Sequence, residues 1–231
     1  MDAPRIKLCG VTSVEDAHLC ADVGAWALGM IFAPDSPRRC TVATAEQIGA
    51  ALRRRLELVG VFVNAPLEVV NRTAERAALS IVQLHGDEGP SYAAEVARRT
   101  GAKVMKAMRV RTRGDLQALE AFRTDLHLVD AHVPGLRGGT GQTMDWRLLT
   151  ARRSGAPLVL AGGLHPENVA DALAAVHPYA VDSASGTERA PGVKDPERVE
   201  AFVAAVRGAG PGAESGDPHD PRTAPVPEGS A

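Results

Sequence analysis

A chain of 231 residues, 45% of them hydrophobic, can bury the core of one large domain or two small ones. The formal net charge of -2 and the 3% aromatic content exclude the basic field and the base-stacking surface of a nucleic-acid-binding protein. The longest apolar stretch near the N-terminus, VGAWALGMIFA, is shorter than the roughly 20 residues of a membrane span and lacks the leader and cleavage site of a signal peptide. We therefore expect a cytoplasmic protein.

The cysteine content argues against structural cross-links. The chain has three cysteines, Cys9, Cys20 and Cys40, at irregular spacing and without a CxxC pair. An odd number in this arrangement indicates neither a disulfide framework nor a zinc site.

Short apolar runs alternate along the chain with longer amphipathic segments. Ser13 precedes the first segment with helical spacing, and Asp195 precedes the last, with Pro196 at the first helical position. The apolar runs predict strands over 5–9, 26–32, 57–63, 80–84, 103–108, 126–130, 157–161 and 179–183.

Eight strand–helix pairs in succession predict a parallel sheet with helical crossovers. This number matches an α/β fold of the closed (β/α)8 TIM-barrel type, a single domain that we assign to residues 1–207. An open doubly wound sheet is the alternative, but it usually has five or six strands, and no Gly-rich dinucleotide motif follows the first strand. Residues 208–231 are rich in Gly and Pro, and we predict a disordered tail there.

Chemistry in such a barrel is expected at the C-terminal ends of the strands, where Cys9 ends the first strand and Asp130 the sixth. Strand alternation directs Lys7 into the barrel together with Cys9, and it directs Asp182 inward on the neighbouring eighth strand. A buried lysine needs a partner, so we predict a Lys7–Asp182 ion pair beneath the site. The alternative is that Lys7 reaches solvent at the bottom of the barrel.

Two stretches after the last strands are suited to phosphate. Glycines let backbone N–H groups approach an anion, and phosphate sites in these barrels often form from the loops after strands 7 and 8. The predicted phosphate-binding residues are Gly162, Gly163, Ser183, Ser185 and Gly186.

A third glycine-rich stretch, HVPGLRGGTGQT, follows Asp130. We predict a lid that excludes water, formed around Gly138, Gly139 and Gly141, although a surface loop without such a role is the alternative.

The chain resembles the phosphoribosylanthranilate isomerase family of tryptophan biosynthesis. The similarity covers residues 5 to about 207, and the family fold is a (β/α)8 barrel. It rests on the ordered motifs KLCGVT (7–12), SPR (36–38), GVFVN (60–64), QLHG (83–86), LVDA…GGTG…DW (128–146), AGGLHPENV (161–169) and VDSASGTERAPGVKD (181–195).

The resemblance implies an Amadori rearrangement of N-(5-phosphoribosyl)anthranilate to 1-(2-carboxyphenylamino)-1-deoxyribulose 5-phosphate. The family needs neither cofactor nor metal, and its members are monomers or homodimers. Matched by motif, Cys9 is the general base, Asp130 the general acid, and Arg38 the group that holds the anthranilate carboxylate. His85 is expected to line the site or orient its neighbours.

Two other functions stay open at this point. The first is a related histidine-pathway or dual-specificity aminoaldose isomerase. Those enzymes resemble this chain in fold and reaction, but they use an aspartate where this chain has Cys9. A barrel that only binds a phosphorylated ligand or a partner is the non-enzymatic alternative. The Cys9 thiol argues against the first alternative without excluding dual specificity, and the combination of Cys9, Asp130 and Arg38 argues against the second.

Overall fold

Eight parallel strands form a closed barrel in the order of the sequence, with β8 hydrogen-bonded to β1. The computed structural model describes residues 4–130, 149 and 152–209. The predicted (β/α)8 barrel is confirmed. The strands are β1 (Arg5–Cys9), β2 (Ala27–Ile31), β3 (Glu57–Phe62), β4 (Ile81–Leu84), β5 (Lys103–Arg109), β6 (Leu126–Asp130), β7 (Leu158–Ala161) and β8 (Ala180–Ser183).

Helices follow the strands on the outside of the barrel. Ser13 caps the first helix by accepting from the Asp16 N–H, and Asp195 caps the last one, with Pro196 at its first position, as the sequence predicts. The helices in the described residues are α1 (Val14–Asp22), α2 (Val42–Leu52), α3 (Leu67–Arg76), α4 (Pro90–Thr100), α5 (Arg113–Glu120), α6 (Val169–Val176) and α7 (Pro196–Gly208).

The core has two layers because each strand is covered on both faces. Val59, Ile81 and Leu128 belong to the cluster that fills the barrel, whereas Leu8 and Leu28 belong to the cluster beneath the helices. This division follows the alternation of side chains along each strand and explains why the strands are almost continuously apolar in sequence.

The register between β8 and β1 fixes which side chains enter the barrel. Lys7 pairs with Asp182 and Leu8 with Ser183. Residues paired in a parallel sheet point to the same face, so Lys7 and Asp182 face inward, and Ser183 faces the helices with Leu8.

A two-stranded hairpin absent from the sequence prediction follows β8. Its strands β9 (Glu188–Ala190) and β10 (Val193–Lys194) are joined through Gly192, whose φ of 80° suits glycine. Thr12 Oγ1 donates to the Gly192 carbonyl at 2.6 Å, so the hairpin is fastened to the loop after β1.

The predicted lid glycines Gly138, Gly139 and Gly141 lie outside the described residues, as do residues 210–231 of the predicted tail. Helix α7 continues through Gly208, one residue past the predicted barrel boundary. Within the described ranges, none of the helices has the length and apolar character needed to cross a membrane.

Candidate active site

A cavity of about 270 Å³ opens at the C-terminal ends of the barrel strands. It gathers residues from every barrel strand except β5 and from the loops that follow β2, β4, β7 and β8. Most of the predicted site residues line it: Cys9, Arg38, His85, Asp130, Gly162, Gly163, Asp182 and Ser185.

Cys9 is a buried thiol at the last position of β1, and the space around it is supplied by a glycine. Cys9 pairs with Gly29 on β2. A Cβ at Gly29 would lie 2.7 Å from Cys9 Sγ and 3.2 Å from Lys7 Nζ. The missing side chain therefore makes room for both the thiol and the ammonium group.

The predicted Lys7–Asp182 ion pair is confirmed. Lys7 is 0% exposed, and its Nζ lies 2.7 Å from Asp182 Oδ2. Burial lowers the pKa of Lys7, but Asp182 and Cys9 outweigh this effect, so the pKa of Lys7 is raised and the ammonium form is favoured. The other oxygen, Asp182 Oδ1, is buried and accepts no hydrogen bond within the described part of the chain.

Opposing effects act on the pKa of the Cys9 thiol. Burial raises it, the charge of Lys7 lowers it, Asp182 raises it and Lys194 lowers it; the net result is a raised pKa. Burial therefore favours the thiol form of Cys9, and the two lysines are the groups that favour its thiolate.

His85 is oriented by Gln83, a residue that the sequence analysis did not single out. The Gln83 side-chain amide donates to His85 Nδ1 at 3.1 Å, which leaves the proton of the neutral ring on Nε2. His85 Nε2 lies 3.7 Å from Asp130 Oδ2. The Gln83 Oε1 atom is buried without a hydrogen-bond partner in the described residues, and Gln83 lines the cavity, where it can accept from a ligand.

Arg38 is held by a second residue that the sequence analysis missed, Glu188 on β9. Arg38 Nε lies 2.9 Å from both carboxylate oxygens of Glu188, and its Nη2 lies 2.8 Å from Oε2. A Cβ at Gly10 would come within 2.9 Å of both side chains. The glycine after Cys9 therefore lets the Arg38–Glu188 pair lie against the end of β1.

The loops after β7 and β8 form a groove of about 390 Å³ next to the cavity, and Gly163 and Ser185 line both spaces. Gly162 and Gly163 have φ of 102° and 69°, conformations that glycine adopts without strain. Gly186 lines the groove and lies against the backbone at His165, where a Cβ would be 2.9 Å from the His165 Cα.

Ser183 does not line this space, and its assignment to the phosphate site stays a prediction. The residue is 1% exposed, and its hydroxyl donates to the Leu164 carbonyl at 2.7 Å. The reason is alternation along β8, which turns Ser183 outward when Asp182 faces inward.

A larger cavity of about 590 Å³ lies beside the first one, over the ends of β3, β4 and β5. It shares His85 with the smaller cavity but reaches neither Cys9 nor Asp130. Its buried Lys106 donates to Glu88 at 3.0 Å and to the Gly86 carbonyl at 2.6 Å. The smaller cavity therefore carries the candidate chemistry.

Comparison with known proteins places this geometry in a family. The family model of N-(5'-phosphoribosyl)anthranilate isomerase matches residues 6–205. The chain belongs to this family. Its sequence is 46% identical over 203 residues to N-(5'-phosphoribosyl)anthranilate isomerase of Citrifermentans bemidjiense, covering 88% of this chain and 97% of the relative.

Solved structures agree with this assignment. Phosphoribosyl anthranilate isomerase from Thermotoga maritima superposes with a TM-score of 0.79 at 38% identity, covering 89% of this chain and 99% of that one. A phosphoribosyl anthranilate isomerase in complex with reduced 1-(o-carboxyphenylamino)-1-deoxyribulose 5-phosphate gives a TM-score of 0.76 at 35% identity, with the same coverage.

Proposed function

We propose that this member of the isomerase family converts N-(5-phosphoribosyl)anthranilate to 1-(2-carboxyphenylamino)-1-deoxyribulose 5-phosphate in tryptophan biosynthesis. The observation that carries the proposal is the meeting of Cys9 and Asp130 in one cavity of a family-matched barrel. The substrate is a small phosphorylated molecule. The proposal includes a cytoplasmic location and a monomeric or homodimeric form.

The reaction begins with opening of the furanose ring. Asp130, as general acid, donates a proton to the ring oxygen while the lone pair of the anthranilate nitrogen forms a double bond to C1. The C1–O bond breaks, and the product of this step is a Schiff base. The hydrogen bond from Gln83 to His85 keeps a ring N–H beside Asp130, so His85 orients the acid.

Proton transfer from C2 completes the isomerisation. Cys9, as general base, removes the C2 proton, and the released electron pair forms a C1=C2 bond while the iminium pair returns to nitrogen. The resulting enolamine gains a proton at C1 and loses one from the C2 hydroxyl to give the ketone. The molecular formula is unchanged, so the reaction needs no external oxidant or reductant.

The two ends of the substrate fit opposite parts of the site. The planar guanidinium of Arg38 is suited to the anthranilate carboxylate, with Glu188 holding it in place. Gly162, Gly163, Ser185 and Gly186 form the proposed phosphate site, where backbone N–H groups can approach the anion. The proposed phosphate site adjoins the cavity that holds Cys9 and Asp130, because Gly163 and Ser185 line both spaces.

Turnover of N-(5-phosphoribosyl)anthranilate by the purified protein tests the proposal. Cys9→Ala and Asp130→Asn are each expected to lower kcat by at least about 100-fold, the usual contribution of a positioned acid or base. Cys20→Ala, at a buried thiol of α1, is the matched control and is expected to keep the wild-type rate. Wild-type rates in both site variants would show that the mechanism is wrong.

The histidine-pathway aminoaldose is assayed in parallel. This chain has Cys9 at the position where the histidine-pathway enzymes use an aspartate, so we expect turnover of the anthranilate substrate alone. Comparable kcat/KM for both substrates would identify a dual-specificity enzyme instead.

A further inference from the structure

Lys194 is a buried ammonium group that touches the main chain of Cys9. It lies on β10, is 1% exposed, and donates from Nζ to the Cys9 carbonyl at 2.7 Å. It also donates to the Ala184 carbonyl at 3.2 Å and to Thr187 Oγ1 at 3.0 Å. Three acceptors match the three N–H donors of a charged lysine, so the geometry fits the ammonium form.

Burial of this charge lowers the stability of the fold unless other groups replace its hydration. A buried ammonium loses its hydration, and its nearest carboxylate oxygen, Glu188 Oε1, is 3.7 Å away and is shared with Arg38. The acceptors that surround Nζ are two carbonyls and a hydroxyl. Burial lowers the pKa of Lys194, and Glu188 is the first of the charges that raise it. The ammonium group lies at the end of β1, against the Cys9 carbonyl, and its charge lowers the pKa of the Cys9 thiol.

We propose that Lys194 is a positioning residue for Cys9, because it fixes the end of β1 through the Cys9 carbonyl and supplies positive charge that favours the Cys9 thiolate. The proposal rests on the role of Cys9 as general base given above. It adds to the mechanism a residue from the hairpin after β8, which is far from Cys9 in sequence and contacts it in the folded chain.

Other charges also act on Cys9 and define what Lys194 contributes. Lys7 approaches along β1 itself, and Asp182 opposes it from β8. Lys194 therefore acts together with Lys7 against the effects of burial and Asp182. Glu188 and Cys20 also act on Lys194, and Arg38, His85 and Asp130 are the other titratable groups that line the cavity with Cys9.

The test measures the reactivity of the Cys9 thiol against pH in the full-length protein. Iodoacetamide reacts with the thiolate, so the pH midpoint of alkylation at the Cys9 peptide, followed by mass spectrometry, reports its pKa. Lys194→Met is expected to raise this midpoint by about one pH unit, a typical effect of one nearby opposite charge. At neutral pH, this shift makes alkylation about tenfold slower.

Matched variants separate charge from structure. Lys194→Arg keeps the charge and is expected to restore the wild-type midpoint. Lys106→Met removes another buried lysine, on β5 across the barrel, and is expected to destabilise the fold without moving the Cys9 midpoint. Within each protein, Cys40 is an internal control, since burial raises its pKa to about 11 and Lys194 is not among the causes.

A folded Lys194→Met variant with the wild-type Cys9 midpoint would overturn the proposal, as would an equal shift in Lys106→Met. If Lys194→Met does not fold, Lys194→Gln takes its place, because its amide keeps two N–H donors without the charge. An unshifted midpoint in that variant has the same meaning.

The limb of the pH profile of kcat/KM that reports ionisation of Cys9 is expected to move with the alkylation midpoint in each variant. The thiol measurement needs no turnover, so it is independent of the proposed function. If Cys9→Ala retains wild-type turnover, the proposed role of Cys9 as general base is wrong. If Cys9→Ala is inactive while the thiol midpoint ignores Lys194, only the present inference fails.

Discussion

Three of the four lysines in the chain, Lys7, Lys106 and Lys194, are buried, and each donates hydrogen bonds to oxygen partners. Lys7 meets Asp182, whereas Lys106 joins the loop after β4 to β5 through Glu88. Burial of a charge is unfavourable unless hydrogen bonds and counter-charges replace its hydration. At the residue scale, lysine is therefore used here to hold the ends of strands and loops around the cavity, while arginine supplies most of the basic surface.

The Lys7–Asp182 pair gives a prediction about stability. Lys7→Met is expected to lower the free energy of unfolding by about 3–5 kcal/mol, because it leaves the Asp182 carboxylate buried without its partner. The double variant Lys7→Met with Asp182→Leu is expected to recover most of this loss, since it removes both charges. Urea unfolding at neutral pH measures both, and a double variant no more stable than the single one would contradict the argument.

The same pair fixes a pH dependence. The pKa of Lys7 is raised in the folded state above its ordinary value of 10.5, so its stabilising effect is fully present below that value. The contribution is lost as the pH rises through the raised pKa. The wild-type protein is therefore expected to lose more stability than the double variant in alkaline urea titrations.

At the scale of elements, the apolar runs locate the barrel strands closely. β1 and β6 have the predicted bounds, and the ends of the other barrel strands differ from prediction by at most one residue. Strands buried on both faces appear in sequence as short apolar runs between helical segments, which is why they could be predicted. The hairpin β9–β10 could not, because strands of three and two residues have too few side chains for an alternating pattern.

The same reasoning explains which parts of the site were predictable. Cys9 and Asp130 end strands, where the barrel places its chemistry. Gln83 could have been found from alternation along β4, because it lies two residues after the inward-facing Ile81. The contacts of Glu188 and Lys194 could not, because they depend on how the missed hairpin folds back over β1.

Contact between neighbouring helices gives a prediction in which helix propensity and packing oppose each other. Gly49 lies in α2 with its Cα against the Ala77 backbone, and an added Cβ would lie 2.9 Å from the Ala77 carbonyl carbon. Alanine favours a helix over glycine by up to about 1 kcal/mol, but a backbone clash costs about 1–3 kcal/mol. Gly49→Ala is therefore expected to destabilise the protein in thermal and urea unfolding.

Gly114 in α5 is the matched control. It is exposed, and its added Cβ would approach only Thr112 Oγ1, at an ordinary 3.5 Å. Gly114→Ala is expected to stabilise the protein by up to about 1 kcal/mol. Changes of the same sign in both variants would show that packing between α2 and α3 does not decide the outcome.

At the scale of the whole molecule, the two ends of the barrel have different roles. The cavity residues lie at the C-terminal ends of the strands. Near the opposite ends, Arg5 lies 4.4 Å from the centre of the Tyr179 ring, which meets Trp26 edge to face. Such contacts close the bottom of the barrel and stabilise it, and they leave the other end for chemistry.

The closed barrel also predicts how much of the chain is needed for folding and activity. The buried side chains of α7 are Val199, Phe202, Val203 and Val206, so its contribution to the core is complete before Ala209. A chain that ends at Ala209 is therefore expected to keep the wild-type kcat/KM and a thermal midpoint within about 2 °C, equivalent to less than about 1 kcal/mol.

The matched truncation ends at Asp195 and removes α7 altogether. It takes away those four buried side chains and uncovers the apolar face beneath them, so loss of cooperative thermal unfolding is expected. Calorimetry and turnover on both chains distinguish the cases. A marked loss of activity or stability in the chain that ends at Ala209 would assign residues 210–231 to the functional enzyme, because the barrel core is intact in that chain.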